Sequence, residues 1–385
     1  MHNAPISTRL ARMSAAAVVL MTRTSAPAAL VTVAARTTID AIVALSADWS
    51  RLLERCPSAD LFSTPGWHIA WWRAFAAGRT PCLLEVRDAG RLIAVLPLAR
   101  FDNNLRGMPV RVMGSYNNEH ASRTGVVIEA GQEARALQAL AQHLAQDAAT
   151  WDVLMLRQWP AQAPWLQPFI AAASDARLVP FPPTPGIGKC VLPLVGSWDN
   201  FLATRSRHFR TRLKENLRRV GKQGELVFRR SSGCKEDFDT FAHLEKSTWK
   251  TGDDNARLGS RGWAFHREVA LANHADIRCV NLFLEIDGAV VGGVHALGHG
   301  EVLYSMQTLF DESVRHLYPG RVQFAVHVAD AFESPLHTLL DLNGNSEFCK
   351  SWTSNELAFV DMQIYNRRPY SRLLAQLKRS LGRNR

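Results

Sequence analysis

Apolar residues recur along this chain at two spacings, one helical and one strand-like, and the alternation between them predicts a mixed α/β chain. Residues 30–35 read as a short strand. Over 39–56, Ile42, Leu45, Trp49, Leu52 and Leu53 fall on one helical face. Ser63-Thr64-Pro65-Gly66 offers a cap and a first-turn proline for a helix over 67–75, whose Trp67, Ile69, Trp71, Trp72 and Phe75 read as core. Two strand-like runs, 81–87 and 91–100, meet at the turn Asp88-Ala89-Gly90. A strand at 125–129, a helix at 132–147 and a buried strand at 151–156 complete the first half.

Residues 179–193 hold Pro180, Pro182, Pro183, Pro185, Pro193, Gly186 and Gly188, which forbid a long helix or a central strand and place an interdomain crossing near 190. Beyond it Ser197 caps one helix running to about 222, with Phe201, Leu202, Phe209, Leu213, Leu217 and Val220 on its apolar stripe. A strand at 226–230 and helical segments at 237–248 and 262–273 follow. Runs at 278–286, 289–298 and 301–309, separated by Asp287-Gly288 and His299-Gly300, form an antiparallel meander. Then come a helix at 321–332, a strand at 337–342, a turn at 344–352 and a last strand at 358–365. The second half repeats the first at greater length. The predicted class is α/β (α+β) with two tandem mixed-sheet domains: a leader over 1–29, domains at 30–189 and 190–366, and a tail at 367–385.

Composition narrows the function classes. With 385 residues, 47% hydrophobic and 21% charged, the chain is neither disordered, collagen-like nor a coiled coil. Its longest apolar run, 15–21, is far short of the roughly 20 residues of a membrane span. The N-terminus resembles a signal peptide only poorly and reads as a disordered leader, with Met21 an alternative start. The six cysteines, Cys56, Cys82, Cys190, Cys234, Cys279 and Cys349, have neither metal-site nor redox spacing, which suits thiols in a reducing cytoplasm and no metal. The net charge of +10 is concentrated: residues 201–230 hold ten basic and two acidic residues, and 361–385 hold seven and one. Such segments suit polyanionic partners. In the tail Leu373, Leu374, Leu377 and Leu381 recur at helical spacing among arginines, the pattern of a helix lying on an anionic membrane face.

Several local sequences occur together in order: Leu61-Phe62-Ser63-Thr64-Pro65 before Trp67 and Trp71-Trp72, the basic helix after Trp198, Leu284-Glu285-Ile286-Asp287-Gly288, Tyr318-Pro319-Gly320, and Leu340-Asp341-Leu342-Asn343-Gly344 with Lys350 and Trp352. Together they resemble the CelD-like or BcsL-like acetyltransferases of the GNAT superfamily, relatives of the FemAB and FemX peptidyltransferases, across roughly residues 30 to 365. The resemblance implies two GNAT-like domains, acyl-CoA held mainly by the second, and an acceptor near their interface. It also implies that Lys350 meets developing negative charge.

The residues add their own chemistry. A helix opening at Tyr318-Pro319-Gly320-Arg321 offers backbone amides and a positive dipole end to a pyrophosphate, with Arg321 adding charge. His295 can take a proton near neutral pH, and Tyr304 can donate one to a leaving thiolate. In the first half, Tyr116-Asn117-Asn118-Glu119-His120, followed by Arg123, is a polar cluster in which Glu119 and His120 supply a base and its partner for the acceptor. The expected activity is acyl-CoA-dependent N-acyl transfer to an amine of a cell-envelope-related acceptor: a sugar, a polysaccharide precursor or a sphingoid-type lipid amine. Two alternatives remain open: aminoacyl transfer from charged tRNA, as in FemX relatives, and a non-catalytic module binding anionic membrane or nucleic acid. No long helical insertion for tRNA is visible, which disfavours nucleic acid as a partner. Peripheral contact with an anionic membrane through the tail is expected.

Overall fold

The computed structural model describes residues 31–105, 107–116, 118, 123–248, 259–271 and 277–382. The first half contains β1 (Val31–Arg36), α1 (Ile39–Leu53), α2 (Pro65–Phe75), β2 (Thr80–Asp88), β3 (Arg91–Leu105), β4 (Met108–Gly114), β5 (Val127–Ile128), α3 (Glu133–Gln146), β6 (Val153–Pro160) and α4 (Leu166–Asp175). Three short strands lie in the proline-rich crossing: β7 (Val179–Pro180), β8 (Thr184–Pro185) and β9 (Lys189–Pro193). The second half runs α5 (Trp198–Thr204), α6 (Arg207–Val220), β10 (Leu226–Ser231), α7 (Lys235–Lys246), α8 (Gly259–Leu271), β11 (Ile277–Ile286), β12 (Ala289–His299), β13 (Val302–Phe310) and α9 (Pro319–Glu333). It ends with β14 (Leu339–Asp341), α10 (Glu347–Lys350), β15 (Glu356–Leu357), β16 (Phe359–Tyr365) and α11 (Pro369–Gly382).

These strands build two mixed sheets, as the sequence pattern implies. The first has the order β1-β2-β3-β4-β6-β16-β7, and the second β10-β11-β12-β13-β14-β9-β15. The meander β11–β13 forms as expected, with antiparallel pairing throughout.

Three local readings change. The single helix expected from 200 to 222 is two helices, because Arg205 and Ser206 are extended and the Ser206 hydroxyl accepts from the Phe209 N–H to cap α6. The apolar stripe continues through this break, so periodicity alone cannot reveal it. Inside the crossing, Lys189 to Leu192 are buried and pair with β14 and β15, with Pro193 closing the strand. Finally β16, expected at the end of the second half, pairs antiparallel with β6 and completes the first sheet.

The aromatic run of α2 is core, and it joins the halves. Trp49, Trp67 and Trp71 share one buried cluster with Phe241, Trp263 and Phe265 of α7 and α8. Trp67 meets Phe265 edge-on at 4.7 Å between ring centroids. Each fully buried aromatic or large aliphatic side chain stabilises by about 1.5–3 kcal/mol, so this seam is a main source of cohesion between the sheets.

Candidate active site

β13 and β14 run parallel only from Val302↔Leu339 to Tyr304↔Asp341 and then part. At the same level β13 carries a bulge: Gln307 pairs with His295 and Ser305 with Ala296, which leaves Met306 out of register. A bulge turns ladder N–H groups away from their partner strand. The gap beyond it is a cleft of about 390 Å³, walled by Ser305 to Thr308 on one side, Gly320 and Phe324 at the start of α9, and Ser346, Phe348 and Cys349 near α10. Its lining mixes apolar rings with backbone and hydroxyl groups, the composition of a small-molecule site.

One wall is the turn into α9. Tyr318 is left-handed (φ 58, ψ 46) and half exposed, and Pro319 sets the first helical position. Gly320 packs closely here, since a Cβ would lie 3.2 Å from the Phe310 ring and would oblige that ring to shift. The turn presents fewer amides than the sequence suggests. Pro319 has none, and the N–H groups of Arg321 and Val322 return to the Tyr318 carbonyl at 3.0 and 3.3 Å. Opposite stands α10, capped by Ser346, whose hydroxyl accepts from the Cys349 N–H. Lys350 ends this helix beside the cleft. It is half exposed and paired with the exposed Glu347 at 3.2 Å.

The other candidates lie elsewhere. His295 projects from β12 to the opposite side of the sheet, fully buried among Phe238, Phe241, Trp263 and His266. Its Nδ1 donates to Asn281 Oδ1 at 2.8 Å, while the Asn281 amide donates to Asp237 at 2.9 Å. Its Nε2 has no partner among the described residues, and burial holds the imidazole down to about 3. Tyr304 is likewise buried, against Phe62 of the first half, and burial together with the Asp60 charge pushes its phenol above the usual range. Neither side chain lines the cleft. Glu119 and His120 fall outside the described residues.

Arg123 closes the seam between the halves. Its Nη2 donates to Asp341 Oδ2 at 2.6 Å, Asp60 lies 3.8 Å away, and the guanidinium rests over Phe62, Phe359 and Tyr304. Burial alone would lower the Arg123 pKa, but the two carboxylates hold it above its ordinary value. Beside it a cavity of about 270 Å³ is lined by Asp60, Ser63, His68, Arg123 and Thr124. His68 shares a hydrogen bond with Tyr116.

Two features that sequence reasoning did not single out also touch the cleft. Ser305, the first residue past the last β13–β14 pair, approaches His327 Nε2 of α9 at 2.9 Å. The bulge itself leaves no trace in local composition. Along α6, Arg207, Arg210, Arg212, Lys214, Arg218 and Arg219 form no ion pair among the described residues. In α11, Leu374 and Ala375 are buried, whereas Leu373 and Leu377 are 48% and 37% exposed among basic residues. No described helix is long and apolar enough to cross a membrane, and the described residues contain no group of three or more His, Cys, Asp or Glu placed to hold a metal.

Residues 207–351 match the acetyltransferase (GNAT) domain model, so the second half carries a GNAT domain and the protein is an acyltransferase. The FemX crystal structure is similar at TM-score 0.60 and 14% identity, covering 86% of this chain and 98% of that one. The C-terminal domain of a putative lysylphosphatidylglycerol synthetase from Agrobacterium fabrum gives TM-score 0.51 and 11% identity over 88% and 96% of the two chains. L-PGS from Bacillus licheniformis gives 0.51 and 10% over 88% and 96%. At these identities the likeness is one of fold. No curated protein matches the chain in sequence.

Proposed function

We propose that this protein is an acyl-CoA-dependent N-acyltransferase whose donor lies in the cleft between β13 and α10. The observation that carries the reading is the coincidence of the Met306 bulge with the end of the β13–β14 ladder, beside a cavity of about 390 Å³ that Ser305 to Thr308 line. Amides fixed there suit the oxygen of a thioester carbonyl as it gains negative charge, and they need no reorganisation to do so. The apolar wall of Phe324 and Phe348 suits the donor's pantetheine arm. Phosphates would be met at the α9 turn by Gly320 and Arg321 together with the helix dipole. Lys350 at the rim adds positive charge by similarity to the FemX group. Tyr304 and His295 act through packing rather than through direct contact with the donor.

The acceptor is an amine of a cell-envelope-related molecule: a sugar, a polysaccharide precursor or a sphingoid-type lipid. The cavity beside Asp60 supports this, because a carboxylate there can hold an ammonium group before it is deprotonated. The exposed leucines and arginines of α11 support peripheral contact with an anionic membrane.

A second reading, aminoacyl transfer from charged tRNA, is favoured by the ion-pair-free basic row of α6, which packs beside α9. One experiment separates the two. Purified protein is given a panel of acyl-CoA donors with simple amines, and thiol release is followed. Release above the protein-free rate is expected, and none across the panel removes the CoA reading.

A further inference from the structure

The Ser305–His327 pair lies between two cavities. Ser305 is 6% exposed and lines the donor cleft directly after the last β13–β14 pair, one residue before the bulge. His327, 2% exposed on α9, holds Ser305 Oγ at 2.9 Å through Nε2. On its far side His327 lines a separate cavity of about 730 Å³ together with Asp330, His337, Arg230 and Arg278. Of these groups, Arg230 is bonded to Asp330 at 2.6 and 2.7 Å, and His337 has no partner on either ring nitrogen among the described residues. A hydroxyl and an imidazole thus form the contact between a reaction cleft and a polar cavity. α10 has the sequence Glu-Phe-Cys-Lys and offers the cleft no tyrosine.

We propose that Ser305 is the proton donor to the departing thiolate and that His327 is its positioning residue and proton source, an inference that rests on the acyltransferase reading above. As the acceptor nitrogen bonds to the acyl carbon and the C–S bond breaks, the sulfur takes the Ser305 Oγ proton. Ser305 is reprotonated from His327 Nε2–H while His327 Nδ1 gains a proton from the side of the larger cavity. Once the thiol has left, Nε2 regains a proton from cleft solvent through Ser305 Oγ and Nδ1 returns its own to the larger cavity, which restores the starting tautomer. The proton lost by the acceptor nitrogen to solvent balances the one gained by sulfur. The hydroxyl holds both bonds at once, accepting from Nε2–H and donating to sulfur.

Acetyl-CoA and hydroxylamine serve as probes, with thiol release as the assay. Ser305→Ala should lower kcat by about 10²-fold, at the low end of what a positioned proton donor supplies, with KM for acetyl-CoA within about twofold. Ser305→Thr, which keeps the hydroxyl, should recover most of kcat, and the solvent deuterium isotope effect on kcat should shrink in Ser305→Ala. In the free protein, ¹⁵N-histidine spectra should show the His327 Nε2 resonance shift in Ser305→Ala and return in Ser305→Thr. Equal losses in the alanine and threonine variants, an unchanged kcat in Ser305→Ala, or an unmoved His327 resonance would overturn the relay. Wild-type protein that releases no thiol, with the resonance shift still present, overturns the acyltransferase reading and the catalytic role together, while leaving the Ser305–His327 bond established.

Discussion

Replacing Arg123 with methionine tests the seam between the two sheets. The side chains of Arg123 and Asp341 are 6% and 1% exposed, and their contact is 2.6 Å. Removing the guanidinium leaves the Asp341 carboxylate without its cation in a site closed to water, a change that costs about 3–5 kcal/mol where one partner of a buried pair is deleted. Asp60, 3.8 Å from the same guanidinium and open to the neighbouring cavity, adds less. Truncating Asp341 as well, in Arg123→Met with Asp341→Leu, removes the stranded charge. Recovery should be partial, because Asp341 Oδ1 also accepts from the Asn343 N–H at 2.7 Å, a bond worth about 1 kcal/mol. Urea unfolding followed by tryptophan fluorescence gives all four corners of the cycle. The single variant should lose at least about 3 kcal/mol, and the double variant should lose clearly less than the sum of the two singles. A loss below about 1 kcal/mol, or strict additivity, refutes the claim that this pair is a sealed link between the halves.

Deleting Met306, which would restore a continuous β12–β13 register, should reduce thiol release by about 10²-fold or more, as loss of an oxyanion donor does, while far-ultraviolet circular dichroism stays native; retention of turnover would count against the bulge as the carbonyl site. Lys350→Ala should lower turnover yet change urea stability by less than about 0.5 kcal/mol, since its only described ion pair is with the exposed Glu347. His68 and His295 are held by burial to about 3 and His327 to about 4, against an unfolded value near 6.5. The unfolded chain therefore binds protons that the fold rejects. Stability contributed by these three groups is complete above pH 6.5 and falls below it, approaching about 4 kcal/mol per pH unit near pH 5. A flat unfolding midpoint between pH 7 and pH 5 contradicts that burial. Leu373→Ser with Leu377→Ser should weaken flotation with anionic vesicles at almost no stability cost. Deleting the whole helix is a poorer test, because Leu374 and Ala375 are part of the packed interior.

Much of the architecture is legible in the sequence because it is written locally. The Asp287-Gly288 and His299-Gly300 turns fix the meander, and Thr64 with Pro65 fixes the start of α2. What is missed depends on partners distant in sequence. β9 owes its place to neighbours about 150 residues away, so its prolines read as a linker. β4, a seven-residue run that opens Met108-Pro109 and ends at Gly114, is held as a strand between β3 and β6. At the site, Tyr318 to Arg321 and Lys350 are visible as motifs, but of these residues only Gly320 lines the cleft, with Lys350 next in sequence to the lining residue Cys349. The faces of His295 and Tyr304 follow from strand alternation and the bulge, which no residue announces. The Ser305–His327 and Arg123–Asp341 contacts span 22 and 218 positions and carry no shared motif.

The late strand β16, inserted beside β6, has a consequence for biosynthesis. An emerging chain cannot finish its first sheet until residue 365 has left the ribosome tunnel, after nearly every other strand has been made. Until then the exposed rim of β6 is an open template, and a nascent chain stalled or cleaved near the crossing should bind chaperones or aggregate rather than accumulate as a stable half-protein.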